Sequence, residues 1–193
     1  MGKYDLEEGT FDGLIFDMDG TLVDTMPVHF RAWEAELAEH GMSIPEEEFY
    51  TLGGMPAVEI ARMLAARFNK DLDPVRVSLS KEARYMELLT EVVVIEDTAA
   101  VVRAWHGRVP LAVATGSKGY IAERVLGAAG LLDYFVAVIT QENYAKGKPA
   151  PDPFLRAAEA MGAEPARCIV FEDSETGIQG AKAAGMRWFQ VVA

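Results

Sequence analysis

Five short, largely apolar runs punctuate the 193-residue chain: Leu14–Phe16, Val109–Ala114, Phe135–Ile139, Cys168–Phe171 and Trp188–Val192. Runs of this length, bounded by polar residues, predict buried strands. Between the later ones lie stretches of helical character, roughly Gly119–Ala129, Pro153–Met161 and Gly177–Ala184. Strand and helix in alternation predict an α/β fold, a Rossmann-like parallel sheet flanked by helices. Ligands of such sheets collect outside the carboxyl ends of the strands. The residues at those ends are Asp17 and Asp19, then Thr115-Gly116-Ser117, then Thr140-Gln141, then Glu172-Asp173. Polar side chains thus terminate several apolar runs on one predicted edge.

The interval from Thr25 to Val94 breaks the alternation. Its pattern reads as wholly helical. Pro27 suits a first helical turn, with Val28, Ala32, Ala35 and Ala38 near one face and Trp33 and Leu37 beside it. Gly53-Gly54-Met55-Pro56 predicts a turn before the Val58–Leu64 helix, and a third helix is expected over Pro74–Val92. The expected organisation is therefore an α/β core of residues 1–24 and 95–193, with residues 25–94 inserted as a helical cap. Such a lid would exclude water and select substrate.

Composition narrows the function classes. The formal charge of -12 excludes the basic face that nucleic-acid binding needs. It leaves room for an anionic substrate, because a few local cations can reverse the field inside a cleft. No apolar run approaches the roughly 20 residues of a membrane span, and Met1–Thr10 has no apolar stretch of a secretory signal. The single cysteine, Cys168, abuts an apolar run and reads as a buried, unactivated thiol in a reducing compartment. A cytoplasmic monomer is expected.

The most informative stretch is Leu14-Ile15-Phe16-Asp17-Met18-Asp19-Gly20-Thr21-Leu22-Val23. Two carboxylates where a buried strand surfaces are costly to desolvate without a partner. A divalent cation is a natural one, and an all-oxygen site suits Mg²⁺. One acid can then act as nucleophile while its neighbour moves protons. Asp-x-Asp-Gly also opens calcium loops, but no third acid or Asn follows at that spacing and no Glu stands at the twelfth position.

Four segments in order, Asp17–Thr21, Thr115-Gly116-Ser117, Lys148-Pro149-Ala150-Pro151-Asp152 and Phe171-Glu172-Asp173-Ser174, resemble the four motifs of the haloacid dehalogenase-like superfamily. Asp24-Thr25 with His29–Trp33, and Gly177-Ile178 with Ala183–Met186, look like its β-phosphoglucomutase-like branch. Ala104-Trp105-His106-Gly107-Arg108 adds similarity to bacterial fructose-1-phosphate phosphatases.

That resemblance implies a Mg²⁺-dependent sugar-phosphate phosphatase working through an aspartyl-phosphate. Asp17 would be the nucleophile and Asp19 the proton donor and acceptor. Thr115 and Lys148 would complete the catalytic set. Gly116, Ser117, His29 and Gly54 would contact the substrate. Asp17, Asp19 (through its backbone carbonyl), Glu172 and Asp173 would hold the metal, Glu172 either directly or through water. Thr115 and Ser117 also suit the start of a helix, and Lys146 lacks the following proline of the lysine motif. His40 and His106 fit structural places at helix ends.

The same resemblance leaves a β-phosphoglucomutase-type mutase as the alternative. Against it, Gly53–Glu59 lacks the arginine with which mutases grip a second phosphate, and Arg62 lies a turn further on. Haloacid dehalogenation needs no Asp19, and phosphonate hydrolysis uses a lid lysine and usually lacks that acid. A phosphosugar-binding module on a dead enzyme fold would require a lost catalytic residue, and every expected one is present.

Overall fold

The computed structural model describes residue 4 and residues 6–52, 55, 57–89 and 92–192. The chain divides into two compact units, Met1–Asp24 with Val92–Ala193, and Thr25–Glu91.

In the first unit, five strands form a parallel sheet among the described residues: β1 (Gly13–Phe16), β4 (Leu111–Ala114), β5 (Ala137–Ile139), β6 (Cys168–Glu172) and β7 (Arg187–Gln190). Their order is β5-β4-β1-β6-β7. β1 is central and pairs in parallel with β4 on one side and β6 on the other, Phe16 standing opposite Val113 and Phe171. β1, β4 and β6 are buried at every position, as expected for strands covered on both faces. Ile15 belongs to a cluster with Phe154, Ala157 and Ala158 of α7 (Asp152–Met161) and Ala181 of α8 (Glu175–Ala183). Phe16, pointing the other way, stacks on Phe171 with ring centroids 4.7 Å apart. The flanking helices also include α5 (Glu96–Trp105) and α6 (Gly119–Ala128). The α/β reading of the apolar runs therefore holds, with strand ends shifted by at most two residues.

The second unit is built from α1 (Met26–Glu39), α2 (Glu46–Tyr50), α3 (Ala57–Arg67) and α4 (Pro74–Leu88). Trp33, Leu37, Phe49, Ile60, Leu64 and Val77 form its core. Glu36, only 2 % exposed, accepts from Ser80 at 2.6 Å and from Arg84 at 3.0 Å, and lies 3.3 Å from His40. This clasp joins α1 to α4. Glu46-Glu47-Glu48 lie on the surface and open α2, where three acids suit the positive end of a helix.

The expectation of a wholly helical 25–94 stretch needs correction at its end. α4 stops at Leu88, short of Val92, and Val93–Val94 form β3, antiparallel to β2 (Val23–Asp24). β-branched residues favour this pairing. No helix among the described residues is long and apolar enough to cross a membrane.

Candidate active site

The carboxyl edge of the sheet gathers most of the candidate residues. Asp17 follows β1 directly, its amide donating to Phe171 O at 3.0 Å, and its side chain is buried. The chain then turns tightly: the amides of Thr21, Leu22 and Val23 converge on Met18 O at 2.9–3.3 Å. Gly20 takes φ +82°, and a Cβ there would overlap the Asp173 carboxylate. Glycine is required both by conformation and by that close approach. The turn aims Thr21 Oγ1 at Asp173 Oδ1, 3.4 Å away.

Lys148, joined by a cis peptide bond to the Pro149 that follows it, reaches the same place from the loop before α7. Its Nζ donates to Asp17 Oδ1 at 2.5 Å and to Glu172 Oε2 at 2.7 Å. Burial opposes its charge, but the Asp17 and Glu172 carboxylates outweigh burial and hold the ammonium above the usual lysine range. Burial drives the Asp17 carboxyl well above the ordinary range against the pull of Lys148, with Glu172 and Asp19 adding to the rise. Asp173 is pushed up to about 6, first by burial and then by Glu172.

Glu172 is held from the other side as well. Its Oε1 accepts from Ser174 N at 3.1 Å and Ser174 Oγ at 2.8 Å. Ser174 also caps α8 by accepting from Gly177 N at 3.1 Å. A Cβ at Gly177 would overlap the Glu172 carboxylate. Both Glu172 oxygens are thus occupied by donors of the chain.

The loop after β4 supplies the remaining groups. Thr115 is buried, and its Oγ1 accepts from Ser117 N at 3.0 Å, leaving the hydroxyl proton to be donated. Ser117 Oγ donates to Asp19 Oδ2 at 3.1 Å, so the residue expected to touch substrate also orients Asp19. Among the described residues, chain neighbours aside, no atom lies within 4 Å of the Cβ position of Gly116, which leaves open space beside that backbone.

Oxygens of Asp17, Glu172 and Asp173 lie within 4.8 Å of one another. Three crowded carboxylates, two of them with raised pKa values, are the donor set a hard divalent cation requires. The Asp19 carboxylate stands outside this cluster and against Ser117.

His29 lies in the helical unit. Lys81 Nζ sits 2.6 Å from its Nδ1 and therefore donates to it, which places the imidazole proton on Nε2. The ring stacks on Tyr85 at 4.0 Å and 3°. Burial, with Lys81 beside it, lowers His29 to about 3, so the imidazole is neutral at physiological pH. Lys81 is 5 % exposed and also faces the rings of Tyr85 and Trp33. Sequence reading passed over it. The available signal was a lysine on the buried stripe of α4, in step with Val77, Ser78 and Tyr85. Gly54 lies outside the described residues. Cys168 is buried, and burial pushes its thiol up to about 11, consistent with an inert side chain.

A separate cavity of about 400 Å³, lined by residues that include His106, Arg108 and Tyr134, opens at the amino ends of β4 and β5, the opposite edge of the sheet. It contains none of the candidate residues.

Residues 11–185 match the family model of the haloacid dehalogenase-like hydrolases. Fructose-1-phosphate phosphatase YqaB of Escherichia coli is 43% identical over 176 residues, 91% of this chain and 94% of that protein. Hexitol phosphatase A, also of Escherichia coli, is 33% identical over 90% of this chain and 79% of its own. Among solved structures, a candidate β-phosphoglucomutase from Thermotoga maritima superposes with a TM-score of 0.83 at 26% identity, covering 94% of this chain and 86% of that one.

Proposed function

The chain belongs to the haloacid dehalogenase-like hydrolases, and from that premise we propose that it is a Mg²⁺-dependent phosphatase of small sugar monophosphates, with fructose 1-phosphate as its substrate. The observation that carries this reading is the Lys148 ammonium held between Asp17 and Glu172, on the same sheet edge as Thr115 and Asp19. Asp17 attacks phosphorus in line, forming the aspartyl-phosphate as the ester P–O bond breaks. Asp19, oriented by Ser117, gives its proton to the departing sugar oxygen. It then takes a proton from the water that attacks phosphorus and releases Asp17 and inorganic phosphate. Lys148 and the Thr115 hydroxyl stabilise charge on the phosphoryl oxygens.

Asp17 and Asp173 are the carboxylates available to hold the metal, with Glu172 committed to Lys148 and Ser174. Bound there, Mg²⁺ supplies the positive charge that offsets repulsion between a carboxylate nucleophile and a phosphate ester.

A mutase reading draws on the likeness to β-phosphoglucomutases. It needs a cation to grip a second phosphate, yet Gly53–Glu59 offers none and Arg62 is paired with Glu59 on the helix surface.

The test incubates the protein and Mg²⁺ with fructose 1-phosphate and, separately, with β-glucose 1-phosphate plus a trace of the 1,6-bisphosphate. Phosphate release from the fructose ester, abolished by chelation and lowered at least about 10³-fold by Asp17→Asn, is the expected result. Glucose 6-phosphate without net phosphate release would establish the mutase instead.

A further inference from the structure

The segment after β5 braces the loop after β4 as well as leading to Lys148. Thr140 and Asn143 cap its short 3₁₀ turn, Gln141–Asn143, reciprocally. Hydrogen bonds from four donors then join the two segments. Thr115 N donates to Ile139 O at 2.9 Å, and Gln141 N donates to Ser117 O at 3.2 Å. Gly119 N donates to Glu142 Oε2 at 3.2 Å. The Tyr144 hydroxyl donates to Thr115 O at 3.0 Å.

The last of these differs in kind. The others begin or end within the turn and strand, whereas Tyr144 stands four residues before Lys148 and reaches back to Thr115, whose hydroxyl the phosphatase reading assigns to the phosphoryl group. Its ring packs against the cluster under α7, and the Gly147 Cβ position lies 3.7 Å from it. The amide, carbonyl and Oγ1 lone pair of Thr115 are thereby each bonded within the protein. Burial raises the Tyr144 pKa, which keeps its hydroxyl a donor.

We infer that Tyr144 is a positioning residue: by bonding the Thr115 carbonyl it sets the Thr115 hydroxyl relative to the Lys148 ammonium, so that both donors meet one phosphoryl group. This rests on the phosphatase reading above and adds a residue to it. A misplacement of a fraction of an ångström weakens such donors, because their value depends on being aimed before the charge develops.

The experiment is a double-mutant cycle of Tyr144→Phe and Thr115→Ala in the full chain. It is read by kcat/KM on nitrophenyl phosphate and fructose 1-phosphate, and by the Kd for inorganic phosphate with Mg²⁺ in calorimetry. Phenylalanine keeps the ring packing and removes only the hydrogen bond. Tyr144→Phe alone should lower kcat/KM about threefold to tenfold, the range of one hydrogen bond, and weaken phosphate binding. In the Thr115→Ala background the same change should have less than about a twofold effect on either readout. A Tyr144→Phe variant equal to wild type overturns the proposal and leaves the phosphatase reading standing. So does a loss of the same factor in both backgrounds, which marks a structural role. A wild type that neither hydrolyses phosphomonoesters nor binds phosphate overturns the phosphatase reading and this proposal together.

Discussion

Gly177 shows how one missing methyl group shapes the candidate site. It sits on the first turn of α8, where Glu172 must lie flat against the backbone to reach Lys148. Gly177→Ala should therefore displace Glu172, release Lys148 from one of its two carboxylates, and lower kcat at least about 30-fold. The accompanying loss of stability should be about 1–3 kcal/mol, typical of overpacking. Alanine is otherwise the better helix former, so an active, more stable variant in urea titration and steady-state assays would show that Glu172 is free to move. At this scale the candidates Asp17, Asp19 and Thr115 could be picked out because they stand in short motifs at strand ends, and Lys148 because it stands in a short motif of the loop before α7. The partner of each was not. Lys148 meets Asp17 across 131 positions of chain and Glu172 across 24, separations that no local pattern encodes.

Among the elements, α1 and α4 carry the clearest titration signature. His29 on α1 faces Lys81 and Tyr85 on α4, and its pKa near 3 lies below the ordinary 6.5. Between those values the unfolded chain binds a proton that the folded unit refuses, so stability falls as pH drops from about 6.5 towards 3. One such group contributes a slope of at most about 1.4 kcal/mol per pH unit. Replacing His29 by Gln should flatten the acid limb of stability measured by urea unfolding between pH 4.5 and 7. An unchanged slope would mean that the imidazole is solvated. The helices themselves were readable from spacing and from Pro27 and Pro74 near their starts. The β2–β3 ribbon was not, because two residues per strand are too few for a period to show.

For the whole molecule, the metal reading has a thermodynamic consequence independent of turnover. Asp17 and Asp173 converge only when β1 and β6 are paired in register, so on that reading Mg²⁺ would bind the folded state and not the unfolded one. At a hundredfold excess over its Kd it should stabilise the protein by about 2.7 kcal/mol, seen as a rise in Tm with Mg²⁺ concentration. Asp173→Asn should abolish most of that rise. A Tm indifferent to Mg²⁺ would place the cation elsewhere or nowhere.

The chain by itself determined the five strands of its parallel sheet, its principal helices and the makeup of each of four short motifs, since each of these depends on a run or spacing of fewer than twenty residues. It also determined glycine at position 20, where the turn demands φ +82°. Tertiary structure alone decided that Glu172 clamps Lys148, that Ser117 holds Asp19, that Lys81 is buried beside His29, and that Tyr144 reaches Thr115. Each of these is a contact between segments brought together by sheet pairing or helix packing. Side-chain partners at such distances follow from the geometry of the folded units, which local pattern constrains only in part.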